Sequence, residues 1–337
     1  MAKPANLLAF DGVVGEMNKM IREKEYLEQP EGHAISQLCS QWETSIRYKV
    51  KPTTYAVYIT VIEKHILPCL GGRQAEELNN WVLKQYLQEK QREELSWSTL
   101  HLIVFLLKRI LQMGEEKGIG TAEKLCFYIP KYKKTYMRTL GQENSEKLLH
   151  YLNGSGESFE LGMLICICTG IRVGELCGLQ WKDVNWLRGT IQINRTVSRI
   201  RNLDTEGIAK ETLSKTIIYI GTPKTGTSVR EIPLPDFLVL KMQRYKKGDA
   251  CYILTGTSKC MEPRGVQRKF KNLLRKCGVP DINIHSLRHS FASRWIENGF
   301  DNKALSEILG HSSVKVTMDI YVHSDLKQKK SYMNRMV

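Results

Sequence analysis

Nothing in this 337-residue sequence is apolar for long enough to cross a bilayer. LLAF at residues 7–10 is too short, and LGMLICICTG around Cys166 has the length of a buried helix, so neither a secretory leader nor a membrane span is expected. The chain also lacks a GxxxxGK[ST] phosphate loop and an HExxH metal helix. Its nine cysteines follow no metal-ligand spacing, since Cys166 and Cys168 are separated by one residue rather than two. They read as reduced core thiols of an intracellular protein; no disulfide framework, metal or cofactor is expected. Acidic residues are scarce too. Thirty-five Asp plus Glu stand against fifty Lys plus Arg, leaving +15. Such an excess points to a polyanion, of which nucleic acid is the commonest, although charge alone also fits a basic but ordinary surface.

The length suits two domains. Residues 1–33 show no sustained periodicity, end in QPEGH, and are expected to form an N-terminal arm of unknown role. Over 34–118 the apolar spacing predicts helices at 35–47, 53–67, 81–90 and 98–114, separated by Pro52, Pro68 and the Gly71-Gly72 pair. The bundle's polar face carries Arg47, Lys49, Lys51, Lys64 and Arg73, which could track a phosphate backbone or be scattered solvated charges. Residues 119–142 break the pattern. Lys131, Lys133, Lys134 and Arg138 alternate there with Tyr128, Tyr132 and Tyr136, as in a basic linker able to lie along DNA, or simply a solvated one.

A second domain is expected over 143–323. It opens with helices at 145–152 and 159–168, followed by TGIRVGELCGLQWKDV. Val173, Leu176 and Leu179 form an apolar stripe there, and Arg172 and Glu175, three apart, share another face. Taken alone, that pair reads as a surface ion pair. Alternating runs at 190–197, 216–221 and 228–234 predict three strands of one small antiparallel sheet, with TPKTGT and its Lys224 as the turn between the last two. From Lys241 to Lys276 there are eleven basic residues against two acidic. Part of this is a helix with Val266, Phe270, Leu273, Leu274 and Cys277 on one face and Arg268, Lys269, Lys271, Arg275 and Lys276 on the rest. His285 and Arg288 then head an amphipathic helix, Gly310 stops another, His311 follows at once, and Tyr321 comes ten residues later. Residues 324–337 suggest a C-terminal helical tail.

The set Arg172, Lys224, His285, Arg288, His311 and Tyr321 resembles the tyrosine recombinases, which include phage-type integrases and those of conjugative, mobile elements. TGIRVGEL, PKTG with VREIPL after it, HSLRHSFA, LGHSSVKVT and the tyrosine of MDIYVH carry the resemblance, in order, over residues 143–323. Over 34–118 the likeness is only of kind, to the family's helical core-binding domain. The resemblance implies a mainly α fold with a small antiparallel β-sheet, built as a two-domain DNA clamp. It implies cleavage and rejoining of DNA through a 3′-phosphotyrosine link that leaves a free 5′-hydroxyl. Because the ester stores the energy of the broken bond, neither nucleotide nor metal is required.

In that scheme Arg172 and Arg288 hold the non-bridging oxygens, for which a planar, always-charged fork is suited. Tyr321 attacks, His285 takes its proton, Lys224 protonates the departing 5′ oxygen, and His311 donates a hydrogen bond to the phosphate. Glu175 supports Arg172 from behind. Lys131, Lys133, Lys134, Arg268, Lys269 and Lys271 are the expected DNA contacts. The expected partners are double-stranded recombination sites, three further copies in a tetramer on two duplexes, and an excision factor or host DNA-bending protein, with no membrane involved. The expected place is the bacterial cytoplasm, on DNA. Residues 324–337 are expected to dock on a neighbouring protomer. Chromosome-dimer resolution, DNA inversion, a topoisomerase and a non-catalytic DNA-binding relative are the alternatives. Two features depart from the family's pattern. The ten residues from His311 to Tyr321 are one more than usual, which leaves the tyrosine's register to the loop at Ser312 and Ser313. The arm is shorter than an arm-site-binding domain, implying recognition of core sites alone or a truncated chain.

Overall fold

A computed structural model describes residues 34–129, 140–202, 214–223, 228–311, 313–321, 330 and 333–334. The chain divides into two units, Met1–Lys133 and Lys134–Val337. No helix among the described residues is long and apolar enough to cross a membrane.

The first unit is a helical bundle. Helix α1 (Ile35–Ile46) buries Ile35, Leu38, Cys39 and Trp42, the spacing of one helical face. Helix α2 (Pro52–Val61) starts at a proline, whose missing N–H costs nothing in a first turn. Pro68 does not end this segment as the sequence suggested. The chain widens into a π-turn over Ile62–Ile66 and continues helically through Leu67–Leu70 before the glycine pair turns it. Pro68 thus sits in the first turn of that last piece, where no N–H is needed, and Tyr86 donates its hydroxyl to the nearby carbonyl of His65 at 3.1 Å. Helix α3 (Asn80–Arg92) is capped by Asn79, whose side chain accepts from Val82 N–H, and α4 (Trp97–Glu116) by Ser96, which accepts from Thr99 N–H. Lys49, Lys64 and Arg73 are exposed, whereas Arg47 and Lys51 are half-buried. The stretch read as the start of a linker is packed on this bundle as far as Ile129. Ile119, Leu125, Phe127 and Ile129 lie against the core, and Asn80 exchanges hydrogen bonds with the backbone of Lys124 and Cys126. Residues 130–139, with Lys131, Lys133 and Lys134, lie outside the described residues.

In the second unit, α5 (Gln142–Gly154) leads to α6 (Ser158–Thr169), which is buried nearly all round and forms the centre of the core. Short helix α7 (Val173–Gly178) follows. Strands β1 (Val184–Asn185), β2 (Thr190–Ile193) and β5 (Arg230–Pro233) form one antiparallel sheet in the order β1-β2-β5. Strands β3 (Thr196–Arg201) and β4 (Thr216–Gly221) form a second, two-stranded one. The expected strand over 190–197 is therefore two strands in different ladders, and the expected pairing of 216–221 with 228–234 does not occur. The cause lies at Asn194 and Arg195, whose side chains both bond to Asp183, with Arg195 also reaching Gly178 O; this pulls the strand inward and breaks it. Helix α8 (Asp236–Arg244), not foreseen, packs on the core through Leu238 and Met242. Helix α9 (Pro263–Lys276) buries Val266, Phe270, Leu273 and Leu274 as expected. Helices α10 (His285–Glu297), α11 (Asn302–Leu309) and α12 (Val314–Tyr321) complete the unit. Residues 322–329 and most of the expected C-terminal tail lie outside the described residues.

Candidate phosphate site at a helix C-terminus

The last carbonyls of any helix have no partner within the helix, and its C-terminal end carries partial negative charge. Helix α11 stops at Gly310, in the left-handed conformation (φ 63°) that glycine adopts without strain. Three successive carbonyls at this end accept from three different arginines. Arg230 Nε donates to Ile308 O at 2.5 Å, Arg288 Nη2 to Leu309 O at 2.8 Å, and Arg172 Nη2 to Gly310 O at 3.2 Å. Each arginine comes from a different element: Arg172 immediately precedes α7, Arg230 opens β5, and Arg288 lies in the first turn of α10. A second helix end helps, since Arg288 Nη1 donates to Gly170 O at 2.9 Å, where α6 stops on another left-handed glycine.

One carboxylate binds this cluster together. Glu175 takes Arg172 Nη1 at 2.9 Å and the Arg172 backbone N–H at 2.9 Å, and it also takes both terminal nitrogens of Arg230, at 3.1 and 2.9 Å. Its side chain is 3 % exposed. Burial alone would raise its pKa, but the hydrogen bonds and charge of Arg230 and the charge of Arg172 outweigh burial and hold the carboxyl below the usual range. The ion pair that the sequence suggested at the surface thus has a buried carboxylate and a partly exposed guanidinium. Arg230 had no expected role. Its signal was present in VREIPL, because a period of two puts Arg230 on the same inward face as core residue Ile232.

Three histidines face these arginines. His285 opens α10, His289 lies one turn later, and their rings are 6.1 Å apart. His311 follows Gly310, with Nε2 2.8 Å from Arg288 Nη2 and Nδ1 2.7 Å from Thr317 Oγ1. All three have pKa values below the ordinary imidazole range. Burial is the main cause for each; Arg288 and Arg172 add to it for His285, His285 and Arg288 for His289, and Arg288, Arg172 and Arg230 for His311, which falls to about 4. Three guanidiniums against the Glu175 carboxylate leave positive charge in a half-enclosed place, and the imidazoles beside them stay neutral. Such a centre is electrostatically complementary to an anion.

The structure brings Arg172, Glu175, His285, Arg288 and His311 together. It adds Arg230, His289 and Thr317, which the sequence reading missed. Lys224 lies outside the described residues; Tyr321 ends α12, and its backbone alone is described. Arg268, Lys269 and Lys271 are exposed on α9, where Lys271 pairs with Asp281 at 2.9 Å. Among the described residues, no group of three or more His, Cys, Asp or Glu could hold a metal ion.

Comparison with known proteins follows this division of the chain. The phage integrase family matches residues 138–328, and the phage integrase N-terminal SAM-like domain matches residues 34–91. A tyrosine recombinase XerC-like protein of Caldanaerobacter subterraneus subsp. tengcongensis is 26 % identical over 309 residues, covering 84 % of this chain and 77 % of that one. The Tn1549 transposon integrase, solved in complex with a circular intermediate DNA, shares the fold with a TM-score of 0.69 at 21 % identity, covering 91 % of this chain and all of that one. A lambda integrase solved as a tetramer bound to a Holliday junction has a TM-score of 0.64 at 16 % identity, covering 96 % and 88 %.

Proposed function

The chain belongs to the phage integrase family and is a tyrosine site-specific recombinase, and we propose that its arginine cluster holds the scissile phosphodiester while Tyr321 attacks it. The observation that carries this reading is the meeting of Arg172, Arg230 and Arg288 on three consecutive carbonyls at the end of α11, with neutral histidines around them. Arg172 is the most exposed of the arginines whose side-chain exposure bears on the site, at 35 % against 6 % for Arg230, and is the one placed to meet an incoming phosphate.

The phosphorus passes through a five-coordinate state with added charge on its non-bridging oxygens, which Arg172 and Arg288 stabilise. A bond forms between the Tyr321 oxygen and phosphorus, and the bond to the 5′ oxygen breaks. The tyrosine proton goes to His285, whose lowered pKa keeps it able to accept at neutral pH, and Lys224 supplies a proton to the leaving oxygen. His311 reaches the phosphate through Nε2 once Arg288 turns from it to the substrate. Attack by the freed 5′-hydroxyl of another strand reverses the steps and rejoins DNA. The Tn1549 transposon integrase and the lambda integrase tetramer support integration and excision of a mobile element by four copies on two duplexes, with the 34–118 bundle gripping core DNA through its basic face. An excision factor or host bending protein joins that assembly.

Covalent capture on a library of nicked genomic duplexes, with a chelator present, tests this reading. The captured strands should share one core sequence at the ends of a mobile element, and Tyr321→Phe should capture none. Strands from the chromosome's replication terminus would point to dimer resolution by the same chemistry. Capture by Tyr321→Phe equal to that by the parent would overturn the assignment.

A further inference from the structure

Thr317 is completely buried in α12, and its hydroxyl meets His311 Nδ1 at 2.7 Å. The other ring nitrogen lies 2.8 Å from Arg288 Nη2. A guanidinium can only donate, so Nε2 is the acceptor of that bond. The neutral ring therefore carries its proton on Nδ1 and donates it to Thr317 Oγ1. A continuous chain results, from Gly170 O and Leu309 O through Arg288 and His311 to Thr317. Thr317 belongs to the helix that ends at Tyr321, four residues and about one turn later.

We propose that Thr317 is a positioning residue, whose hydroxyl orients His311 and ties the helix bearing Tyr321 to the arginine cluster. The inference deepens the proposed recombinase chemistry and rests on it. It also answers the question raised by the extra residue between His311 and Tyr321. The register of α12 is set by a side-chain bond made after the loop, so the loop can lengthen without moving the helix. A hydroxyl suits the task because it both accepts and donates. While Arg288 holds Nε2, Thr317 accepts from Nδ1. When a phosphate draws Arg288 away and Nε2 turns donor, Nδ1 becomes an acceptor and Thr317 donates to it, or the ring is doubly protonated and Thr317 accepts again. Valine has the same shape and supports none of these states.

A buried hydroxyl that merely needs a partner would affect stability alone. The test therefore compares Thr317→Val and Thr317→Ser in the full chain by single-turnover cleavage of a nicked duplex at saturating DNA, with DNA affinity and the 15N signals of His311 measured alongside. Thr317→Val should slow cleavage about tenfold or more, the equivalent of one lost hydrogen bond in the transition state, while DNA affinity stays within about twofold. In that variant the His311 Nδ1 signal should lose the shift of a hydrogen-bonded N–H. Thr317→Ser should restore both rate and signal. Parent-like cleavage by Thr317→Val, or equal slowing by both variants, would overturn the inference while leaving the covalent chemistry standing, provided Tyr321→Phe forms no adduct. An adduct with Tyr321→Phe would remove the functional reading, and this inference with it.

Discussion

The arginines of the centre and the basic residues of α9 are cations of the same kind held in opposite ways. Arg230 and Arg288 are buried, and their donors run to backbone carbonyls, a carboxylate and an imidazole. Arg268, Lys269, Arg275 and Lys276 lie on the open face of an amphipathic helix. Guanidiniums held by this many partners can turn only locally, toward a phosphate that enters among them, so in the proposed chemistry their contribution is geometric and falls on the chemical step. Exposed side chains can follow a phosphate backbone, but salt screens them, so under the same proposal theirs falls on affinity. Lys241 shows the first arrangement used for structure alone, because its ammonium takes the carbonyls of Leu152, Asn153 and Ser155 at the end of α5.

Four changes would break or sharpen this contrast. The largest effect is expected for Arg172→Lys. An ammonium cannot keep both the Glu175 and Gly310 bonds while meeting a phosphate, so single-turnover cleavage should fall on the order of 10³-fold with DNA affinity nearly kept. Equal losses of binding and cleavage would put Arg172 with the α9 cations. Next, Arg230→Met strips Glu175 of two donors and leaves a buried carboxylate with fewer partners. Urea unfolding should show a loss of about 3 kcal/mol, and cleavage should acquire an acid limb as Glu175 takes up a proton more readily.

A smaller effect is expected from pH. The folded-state pKa of His311, about 4, lies below its unfolded value of about 6.5, so the unfolded chain binds more protons between the two. The resulting stability is complete above pH 6.5 and is lost as pH falls towards 4. The melting temperature of the DNA-free protein should drop over that window, and His311→Gln should flatten the drop. The smallest effect belongs to α9. Arg268→Ala and Lys269→Ala should each reduce the slope of log affinity against log salt by about 1, with cleavage at saturating DNA unchanged. A cleavage defect there would erase the distinction between the two sets.

Much of the centre could be read from side-chain identity and order. Arg172, Glu175, His285, Arg288 and His311 stand in local contexts that show a helix start or a helix stop, and the structure brings them together. Arg230 and Thr317 were harder to see because their roles depend on what meets them. Arg230 is one charge in a strand until Glu175 and Ile308 O arrive from elsewhere in the chain, and Thr317 is one hydroxyl in a short helix until His311 turns back on it. The same limit applies to the sheets. Alternation found the strands, but the break at Asn194 and Arg195 comes from bonds to Asp183, a tertiary contact that no period reveals. Pro68 misled for a related reason, since a π-turn before it reopens the helix that proline usually ends.

The central claim is that this arginine cluster directs a phosphodiester to Tyr321. The most direct measurement is mass spectrometry of the trapped protein–DNA adduct after digestion of both components. A peptide carrying a nucleotide 3′-phosphate on Tyr321, with a 5′-hydroxyl on the released strand, is the predicted result. A 5′-phosphate link, or an adduct on any other residue, would contradict it.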